Sequence, residues 1–228
     1  MSPARKPARS GRLIVLEGLD GAGTTTQVER LASALRAEGQ PVLTTREPSD
    51  GPVGVLIRQA LTGRVVLPGA LPGGAGPLAP ETLALLYAAD RTDHLRAKVL
   101  PALEAGQVVL SDRSVLSSLA YQGASLPMEW VESINAHAVP ADLTLFVGVS
   151  IEVAARRRAA RGGPEELFDA EEKQRRISRQ YEAAIRLRGK REHVVRIDGA
   201  QPVEAVTAEC LAHVRKLLGR KPGRAAER

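Results

Sequence analysis

The run Leu13-Ile-Val-Leu-Glu17-Gly18-Leu-Asp20-Gly21-Ala22-Gly23-Thr24-Thr25-Thr26-Gln27 decides how the chain folds. Four apolar residues in a row suit a strand buried on both faces, as in a parallel sheet. Gly18, Gly21 and Gly23 then let the backbone turn tightly and bring bare N–H groups toward an anion. Beyond the turn Val28, Leu31, Ala32 and Leu35 recur at helical spacing, so an unsatisfied helix N-terminus is delivered to the same point. The stretch reads as a phosphate cradle carried on strand, turn and helix.

Its spacing, G-x-x-x-x-G-x-T, is the P-loop pattern with one departure: Thr24 stands where a lysine is expected. A threonine hydroxyl is short and neutral and cannot reach the outer phosphates as an ammonium does. The charge has to come from elsewhere, or catalysis is weak. Further strands are expected at 41–45, 108–112, 142–149 and 193–197, with helices at 53–61, 81–105, 114–122, 128–138, 152–161, 165–187 and 202–218. Strands alternating with helices predict a parallel, doubly wound sheet: an α/β, three-layer P-loop fold with five strands flanked by helices. Pro101 predicts a kink or break near Leu100. The Gly/Pro-rich stretch 62–80 reads as a mobile surface insertion without regular structure or chemistry.

With 228 residues, 43% hydrophobic and 25% charged, the chain suits one well-buried domain, placed at 12–218, with basic flexible tails at 1–11 and 219–228. The pI near 9.9 suggests nucleic acid until the charge is located. Residues 1–12 carry +4 and residues 215–228 carry +5, which leaves about −3 on the body, so no nucleic-acid partner is expected for it. No apolar run approaches a membrane span of roughly 20 residues, and the start lacks the apolar segment of a secretion signal. The single cysteine, Cys210, cannot form an internal disulfide and is expected buried on the last helix. A cytoplasmic protein is expected.

Charged residues collect where strands end. Arg46 and Glu47 precede Pro48, which forces an extended or turned backbone on Glu47 at the carboxyl edge of the second strand. Asp112 closes the third strand where a Mg²⁺ ligand belongs, and Arg113 beside it can fork onto a phosphate. Arg156, Arg157, Arg158 and Arg161 crowd a helix that Gly162-Gly-Pro164 ends.

Several separated motifs resemble the thymidylate kinases, P-loop enzymes that phosphorylate dTMP to dTDP with ATP and Mg²⁺. They are Glu17-Gly-Leu-Asp-Gly-Ala-Gly23, Thr45-Arg-Glu-Pro48, Tyr87-Ala-Ala-Asp-Arg91, Pro140-Ala-Asp142-Leu-Thr-Leu and, most specific, Ser111-Asp-Arg-Ser-Val-Leu-Ser-Ser-Leu-Ala-Tyr-Gln-Gly123. The resemblance spans about residues 12–218. It implies that Gly18, Leu19, Asp20, Gly21, Ala22, Gly23, Thr24, Thr25 and Thr26 cradle the donor phosphates, with Thr25 and Asp112 at the metal. Arg46 and Arg113 would hold the dTMP phosphate, and Asp20 would meet the sugar hydroxyl or the metal near the acceptor. Tyr87 would lie against the thymine, Arg91 would bond to the base, and Ser118, Gln122, Arg58 and Glu47 would line the acceptor pocket. A short Arg-rich lid is implied at about 156–170, where one or more of Arg156, Arg157, Arg158 and Arg161, with Arg158 and Arg161 foremost, would supply the charge that Thr24 lacks. The lid's usual Asp/Glu-Arg-Phe-Glu appears as Glu166-Leu167-Phe168-Asp169, with leucine in place of arginine. A homodimer is also implied.

A phosphate monoester is already an anionic nucleophile, so this reaction needs no general base. Two other readings remain open on sequence. One is a different P-loop nucleoside or nucleotide kinase; a deoxynucleoside acceptor would need a carboxylate base, for which Glu47 is the candidate. The other is a nucleotide-binding homologue that has lost catalysis through Thr24. A nucleic-acid-binding module would rest on the tails alone.

Overall fold

The computed structural model describes residues 10–71, 74–160 and 169–219. Its centre is a five-stranded parallel sheet ordered β2-β5-β1-β6-β7, with β1 Arg12–Glu17, β2 Val42–Arg46, β5 Val108–Asp112, β6 Leu143–Gly148 and β7 Val194–Asp198. All five expected strands form. The order runs one way from β1 to β2 and the other way to β6 and β7, so the crevice off the carboxyl end of β1 is where ligands bind such sheets.

The apolar run of β1 is explained by its two covered faces. Ile14 and Leu16 pack with Val28, Leu31 and Leu35 of α1 (Thr24–Ala37) and with Cys210, Leu211 and Val214 of α9 (Val203–Leu217). Leu13 and Val15 point the opposite way, to Leu95, Val99 and Leu103. A period of two within a wholly apolar strand feeds two cores at once. Each fully buried leucine contributes about 1.5–3 kcal/mol. Cys210 is buried as expected, and burial pushes its thiol up to about 12.

Differences from expectation have local causes. Pro101 does not break its helix: α3 (Pro80–His94) passes through a π turn at Leu95–Val99 into α4 (Leu100–Glu104), and the widened turn absorbs the missing donor. Helix α6 (Met128–Ile134) stops short of the expected 138. Within 62–80 the expected lack of regular structure is corrected: β3 (Leu67–Leu71) pairs antiparallel with β4 (Gly74–Gly76). A two-stranded ribbon has only edges, so it tolerates Pro68 and Gly69, the latter at φ +74°. The terminal basic tails, apart from residues 10, 11 and 219, and the lid residues 161–168, Arg161 among them, lie outside the described residues.

The remaining elements are α2 (Pro52–Leu61), α5 (Val115–Tyr121), α7 (Ile151–Ala159) and α8 (Asp169–Arg188). Helices α5 and α8 pack through Leu116, Leu119, Ile177, Tyr181 and Ala184, a third apolar cluster beside the crevice.

Candidate active site

The turn after β1 has the geometry its glycines predict. Gly21 and Gly23 lie at φ +94° and +98°, and Gly23 caps α1 with no side-chain bond to the first N–H groups. A Cβ on Gly21 would lie 2.4 Å from the Ala154 carbonyl oxygen, so α7 presses directly on the loop. Arg157 donates from Nη1 to the Ala22 carbonyl at 3.2 Å and from Nη2 to the Gly199 carbonyl at 2.9 Å, and Arg158 donates from Nη1 to the Asp20 carbonyl at 2.8 Å. Arg156 is exposed. Thr24 is buried, its Cγ2 3.5 Å from where a Cβ on Gly18 would stand, so it supplies no charge to the loop mouth.

At the carboxyl end of β5, Thr25 Oγ1 donates to Asp112 Oδ2 at 2.5 Å, while Asp112 Oδ1 is buried without a partner. An orphaned carboxylate oxygen beside a helix-start hydroxyl fits a hard cation that completes its shell with water and phosphate oxygens. Among the described residues no cluster of three or more His, Cys, Asp or Glu side chains that could hold a metal ion exists.

Beside this loop opens a cavity of about 720 Å³. On its wall stands Arg113, the only non-glycine described at positive φ (+75°), a conformation held by its N–H bond to the Leu16 carbonyl and by the Ser111 hydroxyl on its own carbonyl. Arg113 Nη2 pairs with Asp20 Oδ1 at 2.6 Å, and its guanidinium lies 5.0 Å over the Tyr121 ring. Tyr87, Arg91, Ser118 and Gln122 share the wall of the same cavity. Arg91 is buried; its Nε and Nη2 both donate to Glu47 Oε2, Nη2 also to Ser118 Oγ, and Nη1 to Asn135 Oδ1. Burial alone would raise the Glu47 carboxyl, but the Arg91 charge and the bonds to His94 and Arg91 hold it below the usual range.

One chain therefore places a P-loop and an open, arginine-bearing cavity of nucleotide size side by side. The family model for thymidylate kinase matches residues 16–210. A "Probable thymidylate kinase" of Pyrococcus abyssi is 40% identical over 172 residues, covering 75% of this chain and 81% of the relative. Another, of Thermococcus kodakarensis, is 37% identical over 209 residues, covering 90% and 98%. The chain belongs to the thymidylate kinase family. It is an ATP-dependent nucleoside monophosphate kinase, a transferase.

The family's motif residues are not all gathered at the cavity. Asp20, Glu47, Tyr87, Arg91, Arg113, Ser118, Gln122 and Arg158 line it. Arg46 instead pairs with Asp50 at 2.7 Å and is mostly exposed, and Arg58 donates to the Pro48 and Ser49 carbonyls, stapling the loop after β2. That loop is also fixed by Asp90, which takes the Ser49 N–H and hydroxyl. Leu61, Leu78, Pro80 and Leu83 bring the 62–80 segment and its flanks onto the cavity wall, a role no local pattern announced.

The largest omission is Glu17. Fully buried at the end of β1, it accepts from the Ser114 and Ser117 N–H groups, the Ser117 hydroxyl and the Tyr181 hydroxyl. Sequence marked it only as the residue before the first loop glycine. Burial raises its carboxyl from 4.5 to about 7, against the lowering effects of Ser117, Arg113 and Ser114. A raised carboxyl means that between pH 4.5 and 7 the folded chain keeps a proton the unfolded chain has lost, so this group's stabilisation falls as pH rises through that window. The shift corresponds to about 3 kcal/mol. Glu17→Gln should flatten that part of the profile: the wild-type-minus-variant difference in unfolding free energy, from urea titrations at pH 5, 6, 7 and 8, should fall across the series and level off near pH 8.

Proposed function

We propose that this protein transfers the γ-phosphoryl group of ATP to dTMP, giving dTDP and ADP in dTTP biosynthesis. The observation that carries the reading is the single cavity beside the P-loop whose wall holds the Arg113–Asp20 pair together with Tyr87, Arg91 and Ser118. A phosphate monoester at Arg113 has its anionic oxygen next to the donor cradle, and a pyrimidine ring fits against Tyr87 with the polar edge of Ser118, Gln122 and the remaining Arg91 donor around it.

In this reading a dTMP phosphate oxygen attacks the γ-phosphorus while the bond to the β-phosphate oxygen breaks, and ADP leaves with that electron pair. The protein's work is to set two polyanions in line and stabilise the charge of the transferring group. Arg113 orients the acceptor, the loop N–H groups hold the donor, and Arg158 faces the junction from α7. Thr25 and Asp112 would hold Mg²⁺, which supplies charge neutralisation on the donor phosphates. Arg46 and Arg58 reach the acceptor only by leaving Asp50 or the loop carbonyls. Arg161 keeps its proposed place as a second lid cation on sequence grounds. Exposed Val55, Leu56 and Leu85 on α2 and α3 support a homodimer. A cytoplasmic location accords with the substrates; among the described residues no helix is long and apolar enough to cross a membrane.

An ADP-release assay over a panel of nucleoside monophosphates, with thymidine as a separate acceptor, tests the proposal. Turnover is expected to be highest with dTMP and absent with thymidine. Release that dTMP does not stimulate would end the reading.

A further inference from the structure

Arg113 does not reach its position unaided, and the group behind it has no part in the mechanism above. Its Nη1 donates to Ser117 Oγ at 3.1 Å and to Tyr181 Oη at 3.3 Å. Both oxygens also bond to Glu17 Oε2, Ser117 at 2.5 Å and Tyr181 at 3.2 Å, and lie 2.8 Å from each other. Ser117 and Tyr181 own one hydroxyl proton each, and burial keeps the Tyr181 proton in place. An ionised carboxylate only accepts. It therefore draws the Ser117 proton to itself and turns the Ser117 lone pairs toward the guanidinium.

We propose that Glu17 is a positioning residue for the acceptor phosphate: through Ser117 and Tyr181 it fixes where the Arg113 fork points. The inference rests on the reading of the cavity as a nucleotide-acceptor site. A neutral group at Glu17 that donates, a protonated carboxyl or a carboxamide, reverses the chain. Its proton takes the Ser117 lone pair, the Ser117 proton turns toward Arg113, and the guanidinium loses the nearer of its two rear acceptors while keeping Tyr181 Oη. The groups facing Glu17 are Ser114, Ser117 and Arg113 from the segment after β5, and Tyr181 from α8; Asp20 and Tyr121 face it only through Arg113.

The test is titration calorimetry of wild type and Glu17→Gln with dTMP, thymidine and methyl phosphate, at pH 8 and pH 6. The carboxamide keeps the volume and can still accept from the Ser114 and Ser117 N–H groups, and a thermal midpoint at pH 8 checks that the variant folds. The dTMP dissociation constant of the variant is expected to rise about tenfold to a hundredfold, the size of a lost bond to a charged group, with thymidine changed less than twofold. Lowering the pH should weaken dTMP more in wild type than in the variant, which retains only the titration of the phosphate itself. Equal loss for dTMP and thymidine would make Glu17 merely structural, and no loss for either would remove it from the site; both overturn the inference. Methyl phosphate separates the two claims: if no thymidine compound binds wild type, Glu17-dependent binding of this probe upholds the positioning role, whereas Glu17-independent binding or none overturns it.

Discussion

Arg158→Ala is expected to slow turnover about a thousandfold, with the KM for dTMP changed by less than a factor of three. The reason is the buried Thr24. A P-loop lysine normally brings a full positive charge to the outer phosphates, and here that position offers a methyl group packed against Gly18. Arg158 is the α7 arginine that both lines the cavity and touches the loop, at the Asp20 carbonyl. An arginine that stabilises a transferring phosphoryl group is worth about 10³–10⁵ in rate. Arg157 differs, because both of its ends are spent on the carbonyls of Ala22 and Gly199. Its loss loosens the loop and should raise the KM for ATP. Exposed Arg156 should tolerate alanine within twofold. Steady-state kinetics on the three variants, and on Arg158→Ala combined with Thr24→Lys, measure this. Recovery of at least tenfold in the double variant is expected if the two side chains supply the same charge; equal, mild effects at all three arginines would refute it.

The second large effect falls on Arg113. Arg113→Ala should lower kcat/KM for dTMP by about 10²–10⁴, the loss of two bonds from a charged donor to a phosphate. Arg113→Lys should recover a tenth of wild-type activity or less, since a point charge cannot hold Asp20, Ser117 and Tyr181 while also meeting the phosphate. A stability cost accompanies both changes, because Glu17 and Asp20 lose the cation they face in Arg113→Ala and part of its hydrogen-bond fork in Arg113→Lys. Parallel thermal midpoints separate that cost from the kinetic one. Near-normal kcat/KM for dTMP in Arg113→Lys would show that the planar fork is not what the acceptor needs.

Much of the candidate site was legible because it lies in short contiguous motifs. The P-loop, Asp112-Arg113 and Tyr87-x-x-x-Arg91 each occupy one strand end or one helix turn, where spacing along the chain equals spacing in space. Arg46 and Arg58 show the limit of that equivalence. They sit at the expected strand edge and helix, but a side chain of several rotatable bonds goes to the best partner within reach. Here those partners are Asp50 and two loop carbonyls. Glu17, Tyr181 and Asn135 were not legible as site residues at all. Their partners lie 100 and 164 residues away for Glu17 and 44 for Asn135. The Gly/Pro-rich segment misled in another way: prolines exclude a central strand, not an isolated ribbon.

By itself the sequence determined the sheet, the cradle and the family of chemistry. Apolar runs with a period of two, helical stripes and glycines at positive φ are consequences of local geometry, and local geometry is written residue by residue. The tertiary structure alone decided which cations are free and which are already engaged. That choice turns on partners brought together from distant segments and on burial, which at Glu17 holds a proton on a carboxylate close to neutrality.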